Sequence, residues 1–348
     1  MKIDNTTKSV LGFILKAIAM TLPVLLPAIA YYLAADPFKV LYHYDNYYER
    51  PEGRNFAVGV NKGMVTIRDY NARKSEGARF NAFIFGASIS CYYDARKWGA
   101  LLGSDANPFH FDSSGESLEM MAEKVEYLDR QGDTIKYALV ILDPIGMGTD
   151  SKTGLAYKHP PEISGGAGAW LEWHYSFFRA STNADFFKSW IPAIVTGESC
   201  FYGRSPIFVE QPIVYDRSCN QETLPEWDRM IATDSKGFYA VRKLVASPDT
   251  LSVSAAVVVG ERAEAVRRIA EVFRRHHTDY QIIIGPNRRK VCLNPSDYAT
   301  LAATFAAARV HDYSASHATA LECDTMLYDN THYRPAFASR LLHRTYRK

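Results

Sequence analysis

The stretch Phe83-Ile84-Phe85-Gly86-Ala87-Ser88 is a short apolar run that ends in a glycine and a serine. Continuous apolar runs of this length are typical of a strand in a parallel sheet that is covered on both faces. The glycine permits a tight turn, and the serine falls at the start of a helix-compatible segment. Ligands of open α/β sheets bind beyond the carboxyl ends of the strands. The stretch therefore predicts a parallel sheet with a polar side chain at its functional edge.

The same rhythm of strands and helices continues along the chain. The predicted elements are a strand at 108–111, an amphipathic helix after Gly115, a strand at 137–142, a helix at 261–273, a strand at 280–284, a helix at 295–308, a strand near Val310, an element at 325–328 and a closing helix at 335–342. This alternation favours an α/β domain over residues 81–345. Its expected core is a doubly wound parallel sheet in a three-layer, flavodoxin-like arrangement.

Two stretches do not follow this rhythm. Residues 36–80 form an aromatic linker that includes a predicted strand at Met64–Ile67. From about 145 to 255 the periodicity breaks down, and a glycine-rich run precedes many aromatic residues. Because this region is too long for an ordinary loop, it is predicted to be an insertion with helices of its own. Its aromatic residues fit an insertion core, or else a lid or a surface that meets the membrane or a partner.

Residues 1–35 are predicted to be an N-terminal membrane anchor. Ala17–Ala34 contains no charged residue, and a helix of that length rises about 27 Å, close to the thickness of a bilayer core. The small-residue motif at Ala28–Ala30 leaves a cleaved signal peptide as an alternative. Lysines near the amino terminus favour an N-terminus on the cytoplasmic side of the membrane. The remaining chain would then face the periplasm or exterior, whereas a cytoplasmic enzyme would have to bury this segment.

Composition and charge narrow the possible partners. Of the 348 residues, 47% are apolar and 22% charged, with a formal net charge of +2. A nearly neutral chain has no long-range field to hold nucleic acid, so no nucleic-acid partner is expected. The five cysteines show no metal-site spacing, and no metal or organic cofactor is predicted. Cys200 and Cys219 could form a disulfide or remain free.

A serine nucleophile needs a base, and the base needs an orienting group. Among four Gly-x-Ser triplets, only the one ending at Ser88 directly follows a convincing strand. Of ten histidines, only His332 has an aspartate, Asp329, three residues earlier. One turn could present this acid and base together after the strand-like run Met326–Tyr328. The pattern predicts a Ser88–His332–Asp329 relay, although Ser88 could instead merely cap a helix.

These motifs resemble the SGNH hydrolase superfamily. The shared features are Phe85-Gly86-Ala87-Ser88, Gly115 after the second strand and the C-terminal Asp329-x-x-His332. The resemblance covers about residues 80–145 and 255–345. With an N-terminal anchor, the chain is more specifically similar to alginate-type envelope O-acetylation proteins and to the D-alanine transfer protein of teichoic-acid modification.

The resemblance implies roles for individual residues. Ser88 would be the nucleophile, His332 the base and Asp329 its orienting acid, while the backbone N–H groups of Ser88 and Gly115 would donate to an oxyanion. The family often places an asparagine donor after the third strand, where this chain has Asp143. An aspartate donates only when protonated. Either another donor such as Asn287 replaces it, or the oxyanion hole is weaker, which would suit a transferase.

The expected activity is therefore acyl-ester hydrolysis or O-acyl transfer on a glycan or other envelope polymer. A polytopic membrane acyltransferase could supply the acyl group. The alternative is a catalytically weak, membrane-tethered scaffold or glycan-binding subunit of an acylation complex. Arg288, in the run Arg288-Arg289-Lys290, could contact an anionic polymer or a lipid headgroup, or belong to a solvated basic loop.

Overall fold

The structure is a computed structural model, and it describes residues 5–148, 154–199, 207–242, 244, 248–314 and 324–346. Its central sheet has five parallel strands in the spatial order β2-β1-β3-β4-β5, which is the order of flavodoxin-like sheets. The predicted α/β class with a parallel sheet is confirmed. The strands are β1 (Ala82–Gly86), β2 (Pro108–His110), β3 (Tyr137–Leu142), β4 (Asp279–Ile284) and β5 (Val310–Asp312).

Helices lie on both faces of this sheet and in the segments outside it. In chain order they are α1 (Asn5–Ala35), α2 (Lys62–Ser75), α3 (Ala95–Leu102), α4 (Leu118–Arg130), α5 (Gly166–Ser181), α6 (Ala184–Thr196), α7 (Pro225–Arg242), α8 (Glu261–Arg275), α9 (Pro295–Phe305) and α10 (Pro335–Tyr346). A single turn, Pro161–Ser164, precedes α5.

The hydrophobic core is divided between the two faces because successive strand residues point in opposite directions. Phe83 and Phe85 of β1 pack with apolar residues of α2, α4, α8 and α9. Ala82 and Ile84 pack with residues of α3 and α10 on the other face. This burial on both faces explains why the central strands read as continuous apolar runs.

The prediction of a strand at Met64–Ile67 is wrong, because this stretch lies inside helix α2. Asn61 caps this helix, since its Oδ1 accepts a hydrogen bond from the N–H of Met64 at 2.8 Å. Met64 and Val65 pack against the linker and insertion, whereas Ile67 packs against the sheet. A helix buried on two sides carries an apolar run that resembles a strand.

The prediction of a strand-like run at Met326–Tyr328, before the turn that carries Asp329 and His332, is also wrong. Asp324–Met326 forms a short 3₁₀ turn, and Leu327 makes only an isolated antiparallel bridge with Tyr333. The N–H of Tyr328 donates to the carbonyl of His332 at 2.9 Å. The chain from Leu327 to Tyr333 therefore closes on itself as a small hairpin instead of adding a strand to the sheet.

The region between β3 and α8 has secondary structure of its own, including α5, α6 and α7. Phe208–Val209 attaches the region to the linker by pairing with Ala57–Val58, whereas Val214–Asp216 and Gln221–Thr223 pair with each other inside the region. Ser252–Val253 pairs with Val291–Cys292. Cys219 is a buried free cysteine, while its suggested partner, Cys200, lies outside the described residues.

Within the described residues, one helical stretch, Leu15–Ala35, is long and apolar enough to cross a membrane. Only 6% of its most apolar window is buried in the protein. The side chains of this stretch therefore face outward until its last turn, where Tyr32 is buried. This bears out the coarse expectation of an apolar N-terminal helix able to act as an anchor.

Candidate active site

The turn that carries Ser88 follows β1 directly. Ser88 begins a 3₁₀ turn, Ser88–Ser90, in which the hydroxyl of Ser90 donates to the carbonyl of Ala87 at 2.8 Å. Gly86 lets this turn fold tightly, because a Cβ there would lie 2.8 Å from Ser90 Cβ and 2.9 Å from the backbone oxygen of Ile141. The geometry raises Ser88 above the carboxyl edge of the sheet.

The structure brings Ser88, His332 and Asp329 together. His332 Nε2 lies 3.1 Å from Ser88 Oγ, and His332 Nδ1 lies 2.8 Å from Asp329 Oδ2. The second carboxylate oxygen of Asp329 accepts the N–H groups of Thr331 and His332 at 2.7 and 2.8 Å. Ser88 does not cap a helix: the cap position of its turn is Ala87. The three side chains form a hydrogen-bonded chain suited to proton transfer.

Electrostatics favour an ionised acid in this chain. Burial raises the pKa of Asp329, but the hydrogen bond and charge of His332, together with the backbone N–H groups of Thr331 and His332, outweigh it. The net result is a pKa below the ordinary value. Asp329 can therefore hold the proton of His332 on Nδ1, which leaves Nε2 as the acceptor toward Ser88.

Asp228 of helix α7 holds the acid–base hairpin in place. Its Oδ2 accepts from the hydroxyl of Tyr328 at 2.9 Å, and its Oδ1 accepts from Arg334 Nε at 2.7 Å. The ring of Tyr92 also packs edge-on against His332, with centroids 6.1 Å apart. Sequence reasoning missed Asp228, because no local spacing links a residue of the insertion to a turn about one hundred positions later.

Ser88, Asp329 and His332 line a cleft with a volume of about 310 Å³. Its polar lining includes Lys62 and Glu222. Its walls also contain four aromatic residues from separate parts of the chain: Tyr48, Tyr92, Tyr157 and Trp227. Aromatic rings around a few convergent polar groups are typical of a site that binds an organic ligand.

The predicted oxyanion donors are placed differently from one another. Gly115 lines the same cleft as Ser88, and its backbone has a φ of 55°, where a Cβ would lie 2.8 Å from the ring of Tyr157. Asn287 is not brought to the cleft. Its amide donates to the carbonyl of Val291 at 2.8 Å and accepts the N–H of Val291 at 3.1 Å. Its hydrogen bonds close the loop after β4 instead.

Arg288 lies in the loop after β4, where the sequence places it, but outside the cleft. Its side chain is buried, and it does not line the cleft around Ser88. A buried guanidinium cannot serve as an open contact for a polymer or lipid headgroup. The expectation that Arg288 binds substrate is therefore not supported by its placement.

A second, smaller cavity of about 100 Å³ lies beside Ser88 and contains Asp143. The Oδ2 of Asp143 accepts the N–H of Gly146 at 2.7 Å, whereas Oδ1 has no hydrogen-bond partner among the described residues. Burial raises the pKa of Asp143, although the backbone N–H groups of Gly146 and Ile145 act in the opposite direction. Most other walls are apolar, including Leu118, Met121, Ile141 and Met147.

A buried ionic cluster supports the cleft from below. Lys62 Nζ lies 2.6 Å from Glu222 and 3.7 Å from Asp112, and the hydroxyl of Tyr48 donates to Glu222 at 2.6 Å. Burial lowers the pKa of Lys62, but the charges of Asp112 and Glu222 outweigh it and hold the pKa above its ordinary value. Cys91, three residues after Ser88, contacts Asp112 at 3.2 Å. The cluster ties linker, α2, core and insertion together.

No protein-family model matches the chain, and no curated protein matches it either. The assignment of this site therefore depends on the fold and on the distances between its residues.

Proposed function

We propose that the protein is a membrane-anchored, SGNH-type serine acyl-ester hydrolase or O-acyltransferase that acts on a glycan or other cell-envelope polymer. The observation that carries the proposal is the hydrogen-bonded chain Ser88–His332–Asp329, with distances of 3.1 and 2.8 Å. The site lies beyond the carboxyl edge of the parallel sheet, at the point between β1 and β3 where the strand order reverses, and such folds bind ligands there.

In the proposed reaction, Ser88 Oγ attacks the carbonyl carbon of an acyl ester while His332 Nε2 takes the hydroxyl proton. The tetrahedral intermediate collapses, the leaving oxygen receives that proton, and an acyl ester remains on Ser88. His332 then removes a proton from an acceptor hydroxyl, or from water, which attacks the acyl carbon. Ser88 regains a proton from His332 as the new ester or free acid leaves.

The surroundings of Ser88 support a polymeric acceptor. Aromatic side chains such as Tyr157 and Trp227 line the cleft and can stack against the apolar faces of sugar rings. Helix α1 would anchor the protein in the cytoplasmic membrane by a single pass, with the catalytic domain facing the periplasm or exterior. A polytopic membrane acyltransferase would then be the source of the acyl group.

One observation favours a second candidate function. Asp143 stands beside Ser88 where the resembled family often has an amide donor, and its carboxylate would repel an oxyanion. A weakened site fits a membrane-tethered scaffold or glycan-binding subunit of an acylation complex. In that case, the aromatic cleft would bind polymer without forming an acyl-enzyme.

Covalent labelling by a fluorophosphonate separates the two functions. We expect the purified protein to be labelled and Ser88→Ala to lose the label. Ser339→Ala is the matched control, because Ser339 also contacts a histidine, His343, but lies on α10 away from the cleft. Labelling of Ser339→Ala together with loss in Ser88→Ala supports the enzyme. Equal labelling of Ser88→Ala and the unaltered protein would refute it, and no labelling of either would favour the scaffold.

A further inference from the structure

The last turn of α1 packs against the helical hairpin formed by α5 and α6. The ring of Tyr32 packs edge-on against Phe178 of α5, with centroids 5.6 Å apart, and its hydroxyl lies 3.4 Å from His174 Nδ1. The ring of Tyr31 packs against Phe187 of α6 at 5.6 Å. The hairpin therefore lies where the apolar helix α1 leaves the body of the protein.

On α5, the surface that receives Tyr32 continues into exposed apolar side chains. Helical residues advance by about 100° each, so Trp170, Leu171 and Tyr175 lie on the same side as His174 and Phe178. Trp170, Leu171 and Tyr175 are 56%, 64% and 59% exposed. The exposed part of this stripe begins beside His174 and Phe178, the residues that Tyr32 contacts.

Helix α6 repeats the arrangement. Ile191, Ile194 and Val195 follow Phe187 at spacings of four, seven and eight residues, which places them on the face that contacts Tyr31. Ile191 and Val195 are 56% and 78% exposed. This second stripe is also continuous with the surface that α1 covers.

The two stripes lie at the same end of the hairpin. Only Thr182 and Asn183 connect α5 to α6, and so short a connection makes the helices antiparallel neighbours. The N-terminal half of α5 therefore lies beside the C-terminal half of α6. We call the combined surface the hairpin patch; its members are Trp170, Leu171, Tyr175, Ile191, Ile194 and Val195.

We propose that the hairpin patch lies in the interfacial layer of the lipid bilayer beside α1. This inference rests on the proposed membrane anchoring. The patch continues a surface already covered by the anchor, its six side chains are uncharged, and it contains a tryptophan and a tyrosine, which are enriched at membrane–water interfaces. The protein would then be attached to the membrane by a spanning helix and by a hairpin that lies at the membrane surface. These two attachments would hold the cleft at a fixed distance from the bilayer.

Quenching of tryptophan fluorescence by brominated lipids tests this placement. The full-length protein is reconstituted into phosphatidylcholine nanodiscs whose acyl chains carry bromine near the headgroup, and Trp170→Phe is compared with the unaltered protein. We expect the Trp170-dependent part of the emission to be lost in the brominated discs. A second variant, Val195→Asp, places a charge in the patch and is expected to reduce that quenching while Ser88 labelling stays unchanged.

The outcomes distinguish the patch from the anchor. If the protein remains in the discs but Trp170 emission is unaffected by bromine, the lipid contact is refuted while the anchoring stands; this is also the result expected if another protein covers the patch. If the protein does not enter the discs, both the anchoring and the patch proposal fail. Quenching of Trp170 that Val195→Asp weakens supports the proposal.

Discussion

Ser88 and Asp143 occupy equivalent positions beyond adjacent parallel strands. Gly86 and Ile141 are register partners in β1 and β3, and Ser88 and Asp143 each follow two residues later. Both then line the same cavity of about 100 Å³. An ionised Asp143 therefore places negative charge close to the carbon that Ser88 would attack, where negative charge develops on the acyl oxygen.

Asp143→Asn is expected to speed acylation of Ser88. Asparagine can still accept the Gly146 N–H through its oxygen, while its NH₂ group replaces the partnerless Oδ1 of the aspartate. Because one oxyanion donor contributes about 10²–10³-fold in related chemistry, a gain of at least about tenfold is expected. The second-order rate of fluorophosphonate labelling measures it.

Asp143→Ala is the control for this substitution. It removes the carboxylate without supplying a donor and leaves the Gly146 N–H without its partner, so its gain should be smaller than that of Asp143→Asn. If Asp143→Asn labels more slowly than the unaltered protein, the carboxylate assists acylation and the interpretation of a weakened oxyanion hole is wrong.

Asp329→Asn is expected to lower activity by roughly 10²–10⁴-fold. The amide oxygen can keep the backbone N–H groups of Thr331 and His332, but its NH₂ group would face His332 Nδ1. That arrangement favours the wrong tautomer, with the proton on Nε2. The measurement is kcat/KM for an acetyl ester, with thermal unfolding as the check on folding. A rate within a fewfold of the original would remove Asp329 from the mechanism.

Gly86→Ala is expected to destabilise the protein by about 1–3 kcal/mol and to displace Ser88, because the new methyl group would overlap the Ile141 carbonyl. Gly168→Ala in α5 is the matched control: its Cβ meets nothing within 4 Å, and alanine favours a helix by up to about 1 kcal/mol. Denaturant unfolding and the labelling rate measure both effects. Equal behaviour of the two variants would show that the turn has room to relax.

The pH dependence of stability should include a contribution from His110. Burial lowers the pKa of this histidine below the ordinary value of about 6.5, and the Lys62 charge adds to that effect, although Asp112 opposes it. The unfolded chain therefore takes up the proton first, so this contribution is present above about pH 6.5 and is lost as pH falls through the folded pKa. His110→Gln should flatten the slope by at most about 1.4 kcal/mol per pH unit. The free energy of unfolding of both proteins is measured by urea titration at pH 5.5 and 7.5. If it changes by the same amount between these pH values in His110→Gln and in the unaltered protein, the prediction is wrong.

Lys62→Met should destabilise the fold by about 3–5 kcal/mol, because Glu222 and Asp112 would remain buried without their shared cation. Adding Glu222→Gln should recover part of that lost stability, because the double variant no longer buries the unpaired charge of Glu222. Chemical denaturation of the single and double variants measures this coupling. Additive effects of the two substitutions would show that the ion pair contributes no net stability.

Much of the fold could be predicted because the central strands are buried on both faces. The runs 83–86 and 137–142 are apolar throughout, and 280–284 contains a single polar residue, Gln281, so none of them has a competing helical pattern. Met64–Ile67 also contains a single polar residue, Thr66, yet it belongs to a helix that packs against both the sheet and the linker. A short run of this kind does not distinguish the two cases, and only the Asn61 cap indicates the helix.

The candidate site was predictable only where its residues are close in sequence or follow a strand. Asp329 and His332 share one turn, and Ser88 follows β1, so local patterns found all three; their catalytic roles stay a prediction. The contacts of Lys62 with Glu222 and of Asp228 with Arg334 join segments 106 or more residues apart. Such pairs depend on tertiary packing and leave no local pattern.

The region between β3 and α8 supplies part of the wall of the cleft facing Ser88, through residues such as Tyr157 and Trp227. The proposed catalytic groups, in contrast, come from the parallel-sheet domain: Ser88 follows β1, and His332 precedes α10. Under the proposed function, acceptor choice and acyl chemistry would therefore depend on separate stretches of the chain. Substitutions in that part of the wall would then change the polymer bound and leave the Ser88–His332–Asp329 chain intact, provided that Asp228 keeps its contacts with Tyr328 and Arg334.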